Sequence, residues 1–209
     1  METRISTLLI DLGGVILNID YHLTIDAFKR IGISDFESVY SQAKQGKVFD
    51  DLETGKISGK EFKSYLRKAL NQPDISDLTL DNAWNKMLLD LPEERITLLK
   101  RLKKKYKLLL FSNTNEIHYE KFRSILKASY GNENLLETLF DTTYYSHILG
   151  VRKPHKESFK KILELESLDP GEVIFFDDSI QHIHGAIEAG ISSRHLIDND
   201  IIAATKDLI

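Results

Sequence analysis

The chain has 209 residues, with 28 Lys and Arg against 32 Asp and Glu for a net charge of -4, and it contains no cysteine. That length suits one large α/β domain, or a core domain with a smaller insert, and it buries a sizeable core without covalent staples. Disulfides, thiolate zinc sites and cysteine nucleophiles are excluded, and the mildly negative charge offers no basic footprint for nucleic acid or a membrane surface.

The first predicted element is a strand over about 6–11, where Leu8-Leu9-Ile10 runs into Asp11-Leu12-Gly13-Gly14-Val15-Ile16. Asp11 interrupts what would be the apolar stretch of a signal peptide, and every apolar run is of strand length, so a cytoplasmic protein without a transmembrane segment is expected. From about residue 18 to 90 the texture is helical and no strand is predicted. Ser34 with Glu37 and Ser58 with Glu61 fit the Ser-x-x-Glu capping box, in which two side chains satisfy backbone N–H groups at a helix start. Gly32 and Gly46 stand where helix C-caps are expected. A helix containing Trp84, Met87 and Leu88 ends before Pro92. Residues 18–90 are thus expected to form a small helical bundle inserted into a core made of 1–17 and 91–209.

From Pro92 onward helix and strand alternate. Pro92 opens a helix with acids in its first turn and bases in its last, as the helix dipole favours. A strand over 107–111, a helix over about 115–128, a short strand at 142–145 and a helix over 156–166 follow. A strand over 172–176, a helix over 180–189 stopped by Gly190 and a last strand over 194–197 complete the series. Such a βαβ series predicts an α/β fold, a parallel sheet with helices on both faces.

Three buried runs end in polar chemistry. The first ends on Asp11, a second, Leu108-Leu109-Leu110-Phe111, on Ser112-Asn113-Thr114, and a third, Val173-Ile174-Phe175-Phe176, on Asp177-Asp178. Polar groups just past the carboxyl ends of parallel strands converge in the crevice where such sheets bind ligands. Adjacent acids repel unless a cation is near, and three carboxylates form an oxygen set suited to Mg²⁺. Ser112-Asn113 at a helix start offers an anion cradle. Lys153, before Pro154 in the first turn of the next helix, offers a fixed positive charge at its mouth. Taken singly, these residues also read as a turn aspartate, an ordinary N-cap and a solvated lysine; their order along the chain favours a site.

Asp11-Leu12-Gly13-Gly14-Val15, Ser112-Asn113-Thr114, Lys153-Pro154 and Asp177-Asp178-Ser179 resemble the four motifs of the haloacid dehalogenase superfamily, across essentially the whole chain. More narrowly, Phe111-Ser112-Asn113-Thr114-Asn115 and Phe175-Phe176-Asp177-Asp178 look like its bacterial α-D-glucose-1-phosphate phosphatase branch; the phosphatase domain of soluble epoxide hydrolase is a more distant likeness. The resemblance implies a Rossmann-like core with a helical cap and a Mg²⁺-dependent phosphomonoesterase acting on a small phosphorylated metabolite, such as a sugar 1-phosphate. It implies Asp11 as nucleophile, and Mg²⁺ held by Asp11, the Gly13 carbonyl and Asp178, with Asp177 as a further carboxylate or water anchor. Ser112, Asn113 and Lys153 would hold the phosphoryl oxygens.

The superfamily's phosphatases usually carry a second aspartate two residues after the nucleophile, as general acid and base; here that position is Gly13. Asp20 and His22 are candidate substitutes, though both also suit the start of the insert. His182 stands where related proteins often have asparagine. Two other functions share these motifs. A 2-haloacid dehalogenase uses the same nucleophile without metal, but gains nothing from two further acids. A non-catalytic binding module would account for Gly13, but has no need of Asp11, Lys153 and Asp178 together.

Overall fold

A computed structural model describes residues 4–33, 36, 40, 41 and 44–209. Five parallel strands form one sheet: β1 (Thr7–Ile10), β4 (Lys107–Ser112), β5 (Thr142–Tyr145), β6 (Val173–Asp177) and β7 (Ser192–His195), in the order β5-β4-β1-β6-β7. Side chains alternate across the pleat. Leu8, Ile10, Leu108, Leu110, Ile174 and Phe176 enter the core on one face, while Leu9, Leu109, Phe111, Val173 and Phe175 enter the core on the other. Burial on both faces is why these runs are apolar throughout and why only their ends can carry charge.

The helices are α1 (Tyr21–Arg30), α2 (Lys47–Glu53), α3 (Gly59–Ala69), α4 (Asp77–Trp84), α5 (Glu93–Leu102), α6 (Glu116–Tyr130), α7 (Leu135–Leu139), α8 (Ser146–Leu149), α9 (Lys156–Glu166), α10 (Ile180–Glu188) and α11 (Ile201–Ala204). Helices α1 to α4 surround a third core of their own, where Phe28, Phe36, Phe49, Phe62 and Trp84 pack. The Ser58–Glu61 capping box forms as predicted and starts α3. The expected box at Ser34 and Glu37 lies outside the described residues.

Several local expectations are corrected. Gly46 is the N-cap of α2, not a helix C-cap, because a two-strand ladder, β2 (Tyr40–Ser41) against β3 (Lys44–Gln45), precedes it where no strand was expected. The helix with Trp84 ends there; Met87 lies in a 3-10 turn and Leu88 is extended. Pro154 lies before the N-cap His155, outside α9. The last strand begins at Ser192, two residues earlier than expected.

Candidate active site

The pleat brings three chemistries to one edge. β1 lies between β4 and β6 in register, so Asp11, Ser112 and Asp177 leave adjacent strands at their carboxyl ends. Among the described residues, one carboxylate oxygen each from Asp11, Asp177 and Asp178 lies within 4.8 Å of the others.

Lys153 enters this group from below and is fully buried. Its ammonium donates to Asp11 Oδ1 and to Asp177 Oδ2, both at 2.7 Å, and to the Phe111 carbonyl at 2.9 Å. It is therefore no solvated lysine at a mouth but a buried cation joining two strand ends, its ammonium saturated with acceptors. Burial alone would lower its pKa, yet Asp11 and Asp177 together raise it.

The three acids differ because their partners differ. Burial pushes Asp177 up, but Lys153 and His182 outweigh it and hold the carboxyl down at about 2. Both its oxygens are engaged: Ser179 N–H donates to Oδ1 at 2.8 Å, and His182 Nδ1 sits 2.9 and 3.0 Å from the two oxygens, besides the Lys153 bond. Asp11 is raised to about 6 by burial, against the pull of Lys153. Asp178 is raised to about 7 by burial and then by the charges of Asp11 and Asp177. Among the described residues it forms no ion pair. One ammonium among three carboxylates leaves an excess of negative charge, which a divalent cation fits. The main chain crosses closely here. Gly14 adopts φ +80° and a β-carbon on it would collide with Asp178 Oδ2, so only glycine lets the turn after β1 pass that carboxylate.

The loop after β4 is clamped twice. The Asn113 side chain donates to the Lys153 carbonyl at 2.9 Å and accepts from the Lys153 N–H at 3.0 Å. The Ser146 hydroxyl accepts from Thr114 N–H and donates to Thr114 carbonyl, both at 2.9 Å. The N-cap of α6 is Asn115, not Ser112 or Asn113.

Asp11, Ser112, Asn113 and Asp178 line a cavity of about 220 Å³, with Lys153 and Asp177 buried beneath it, and the helical insert adds Tyr21, Asp50, Glu53, Trp84, Met87 and Leu88 to its walls. Asp20 and His22 do not line it; Asp20 caps α1 by accepting from His22 N–H at 2.9 Å. A β-carbon at Gly13 would stand 3.2 Å from Ile19 Cδ1, so Ile19 crowds the space where an acid would extend. Sequence reading missed Asp50, Glu53, Arg152, Gln181 and His118 as lining residues, since no local pattern marks a helix face that only the tertiary fold turns toward the strand ends.

The family model for haloacid dehalogenase-like hydrolases matches residues 5–190. D-ribitol-5-phosphate phosphatase of Bacteroides thetaiotaomicron is 30% identical over 192 residues, covering 90% of this chain and 90% of that protein. Sesquiterpene phosphatase AstK of Aspergillus oryzae is 24% identical over 199 residues, covering 95% and 93%. Among solved structures, an aspartate-to-alanine mutant of the HAD-family enzyme BT-2542 of Bacteroides thetaiotaomicron, in complex with magnesium and inorganic phosphate, superposes with a TM-score of 0.89 at 33% identity, covering 97% of this chain and 98% of that one.

Proposed function

Because the chain belongs to the haloacid dehalogenase-like hydrolases and is a phosphatase of that family, we propose that it hydrolyses the phosphate monoester of a small polyhydroxylated metabolite, a sugar or polyol phosphate, through an aspartyl-phosphate on Asp11. The observation that carries this reading is the buried Lys153, bonded to Asp11 and Asp177 while Asp178 faces them as an acid of raised pKa.

Asp11 attacks phosphorus with its carboxylate, the ester oxygen departs, and water then attacks the phosphorus of the acyl phosphate to release phosphate and restore Asp11. Lys153 fixes the Asp11 carboxylate in place and offsets the charge gathering beside it. Ser112 and the Asn113 backbone are the remaining phosphoryl contacts, and the Asn113 side chain keeps the Lys153 backbone beside them. Asp11, the Gly13 carbonyl and Asp178 would hold Mg²⁺, with Asp177 as anchor of Lys153. Mg²⁺ bound there supplies Lewis-acid stabilisation of charge on the transferring phosphoryl group. Residues 18–90 serve as a cap that excludes water from the cavity.

Cavity size supports a small substrate. About 220 Å³ lies below the roughly 300–1,000 Å³ of pockets that enclose drug-sized ligands. Gly13 provides no acid for the leaving oxygen, which favours esters of acidic hydroxyls, so a sugar 1-phosphate is expected to be cleaved faster than its 6-phosphate. A screen of phosphorylated metabolites with Mg²⁺ and with EDTA tests the reading. Hydrolysis requiring Mg²⁺, and lost in a folded Asp11→Asn variant, is expected; full activity in EDTA, or in Asp11→Asn, contradicts it.

A further inference from the structure

A charged cluster lies in the cavity wall. Arg152, on the loop before Lys153, donates from Nε to Glu53 Oε2 at 2.7 Å and from a terminal nitrogen to Asp50 Oδ1 at 2.8 Å. Both acids belong to α2, so the insert and the sheet domain meet through this fork, and all three side chains line the cavity that holds Asp11. The cluster is largely withdrawn from water: the Arg152 and Glu53 side chains are 13% and 14% exposed, and Asp50 is 42% exposed. Its position is fixed at the end of α2, where a β-carbon on Gly55 (φ +67°) would run into the His147 carbonyl of α8.

We propose that Asp50, Glu53 and Arg152 determine specificity, reading the hydroxyl groups of an uncharged substrate tail and rejecting a tail that carries a second anionic group. This rests on the phosphatase reading above and names the tail chemistry it takes. Among the described residues of this cluster, two carboxylates stand against one guanidinium, an excess of negative charge. Carboxylates accept hydrogen bonds only, and each has about four lone-pair sites, so the half-exposed Asp50 keeps acceptor capacity for hydroxyl donors beside its bond to Arg152. A purely apolar tail makes none of these bonds, and a carboxylate or second phosphate meets like charge. Tyr21, Trp84 and Leu88 supply the apolar surface on which the carbon chain of a polyol rests.

Three esters of one chain length separate these terms: a pentitol phosphate, pentyl phosphate and a pentonate phosphate ending in a carboxylate. The wild-type kcat/KM is expected to be highest for the pentitol ester. In the double variant D50N/E53Q the pentitol-to-pentyl ratio falls about tenfold or more, because charge-assisted bonds to hydroxyls are lost. In the same variant the pentonate ester gains on the pentitol ester. Arg152→Gln moves the pentonate ratio the opposite way, since it leaves both acids without their cation. A general loss of packing lowers all three rates together and cannot produce opposite signs. Asp50→Asn alone, at the more exposed acid, repeats the measurement should the double variant fail to fold. Ratios that stay constant, or move in the same direction in both variants, overturn the assignment. Wild-type failure to hydrolyse any of the esters with Mg²⁺ overturns the phosphatase reading itself.

Discussion

Lys153 and Asp177 form a pair in which each partner's burial depends on the other. With Asp177 gone, a fully buried ammonium keeps Asp11 and one carbonyl but loses its most strongly ionised neighbour. Breaking a buried pair from one side typically costs about 3–5 kcal/mol. Asp177→Ala is therefore expected to lower stability by an amount of that order in urea melts. Asp178→Ala instead spares stability and raises the Mg²⁺ concentration needed for half-maximal activity, because Asp178 has no cationic partner to strand among the described residues. Equal loss of stability in the two variants would contradict this division. The same pair shows what was legible. Acids at the ends of apolar runs announce themselves, since nothing else in a buried strand is charged. That Asp177 anchors Lys153 while Asp178 stands apart was not legible, because neighbouring residues point to opposite sides of the pleat and only the position of Lys153 decides between them.

At the scale of elements, α6 meets the insert through Glu116, which accepts from Gly59 N–H, through Ile117, packed against its core, and through one buried ring. His118 stacks on Trp84 with centroids 4.9 Å apart, donates from Nε2 to the Trp84 carbonyl at 3.1 Å, and takes the Asn115 side-chain amide at Nδ1, 3.2 Å away. Both nitrogens are thus satisfied by a neutral ring, and burial pushes its pKa down from 6.5 to about 4. The unfolded chain binds that proton more readily, so the stabilisation is complete above about pH 6.5 and is lost as pH falls toward 4. His118→Phe keeps the stacking and removes the titration. Its urea midpoint is expected to fall less than that of the wild type between pH 6.5 and 4.5; parallel loss would show that other groups set the acid limb. None of this could be read in advance, since a lone histidine in a helix has no pattern that assigns it a partner. The edge strands fared unevenly: β5 keeps its expected bounds, whereas the far edge begins and ends earlier than expected. There β7 carries Ser192 and Ser193, and no apolar run marks where it begins.

For the whole molecule, the parallel direction of the strands follows from a chain that alternates helix and strand, visible from Pro92 onward, whereas their order β5-β4-β1-β6-β7 does not. The helical character of the insert was visible too, through its capping box and spacing. Which of its faces closes the cavity was not, because Asp50 and Glu53 acquire their role only when Arg152 arrives from a loop about a hundred residues later. Gly13 sets a property of the assembled enzyme. With Ile19 crowding that position and Asp20 turned to its own helix, no side chain from the first loop is placed to protonate the departing oxygen. Such a group is typically worth about 10²–10⁴ in rate. Across aryl phosphates, log kcat/KM is expected to fall steeply as leaving-group pKa rises; a flat profile, with the first chemical step limiting, would reveal an acid supplied from elsewhere in the cavity.

The three carboxylates around a single ammonium also bear on the order in which ligands arrive. With its three carboxylates ionised, the acidic group at the strand ends carries more negative than positive charge, and Lys153, its one lysine among the described residues, is already saturated by Asp11, Asp177 and the Phe111 carbonyl. A phosphate ester that enters such a site alone meets repulsion at the atom it must approach. A cation bound first would remove that repulsion, so the expected outcome is ordered binding, cation before ester, and an ester that binds equally tightly with and without EDTA would contradict it.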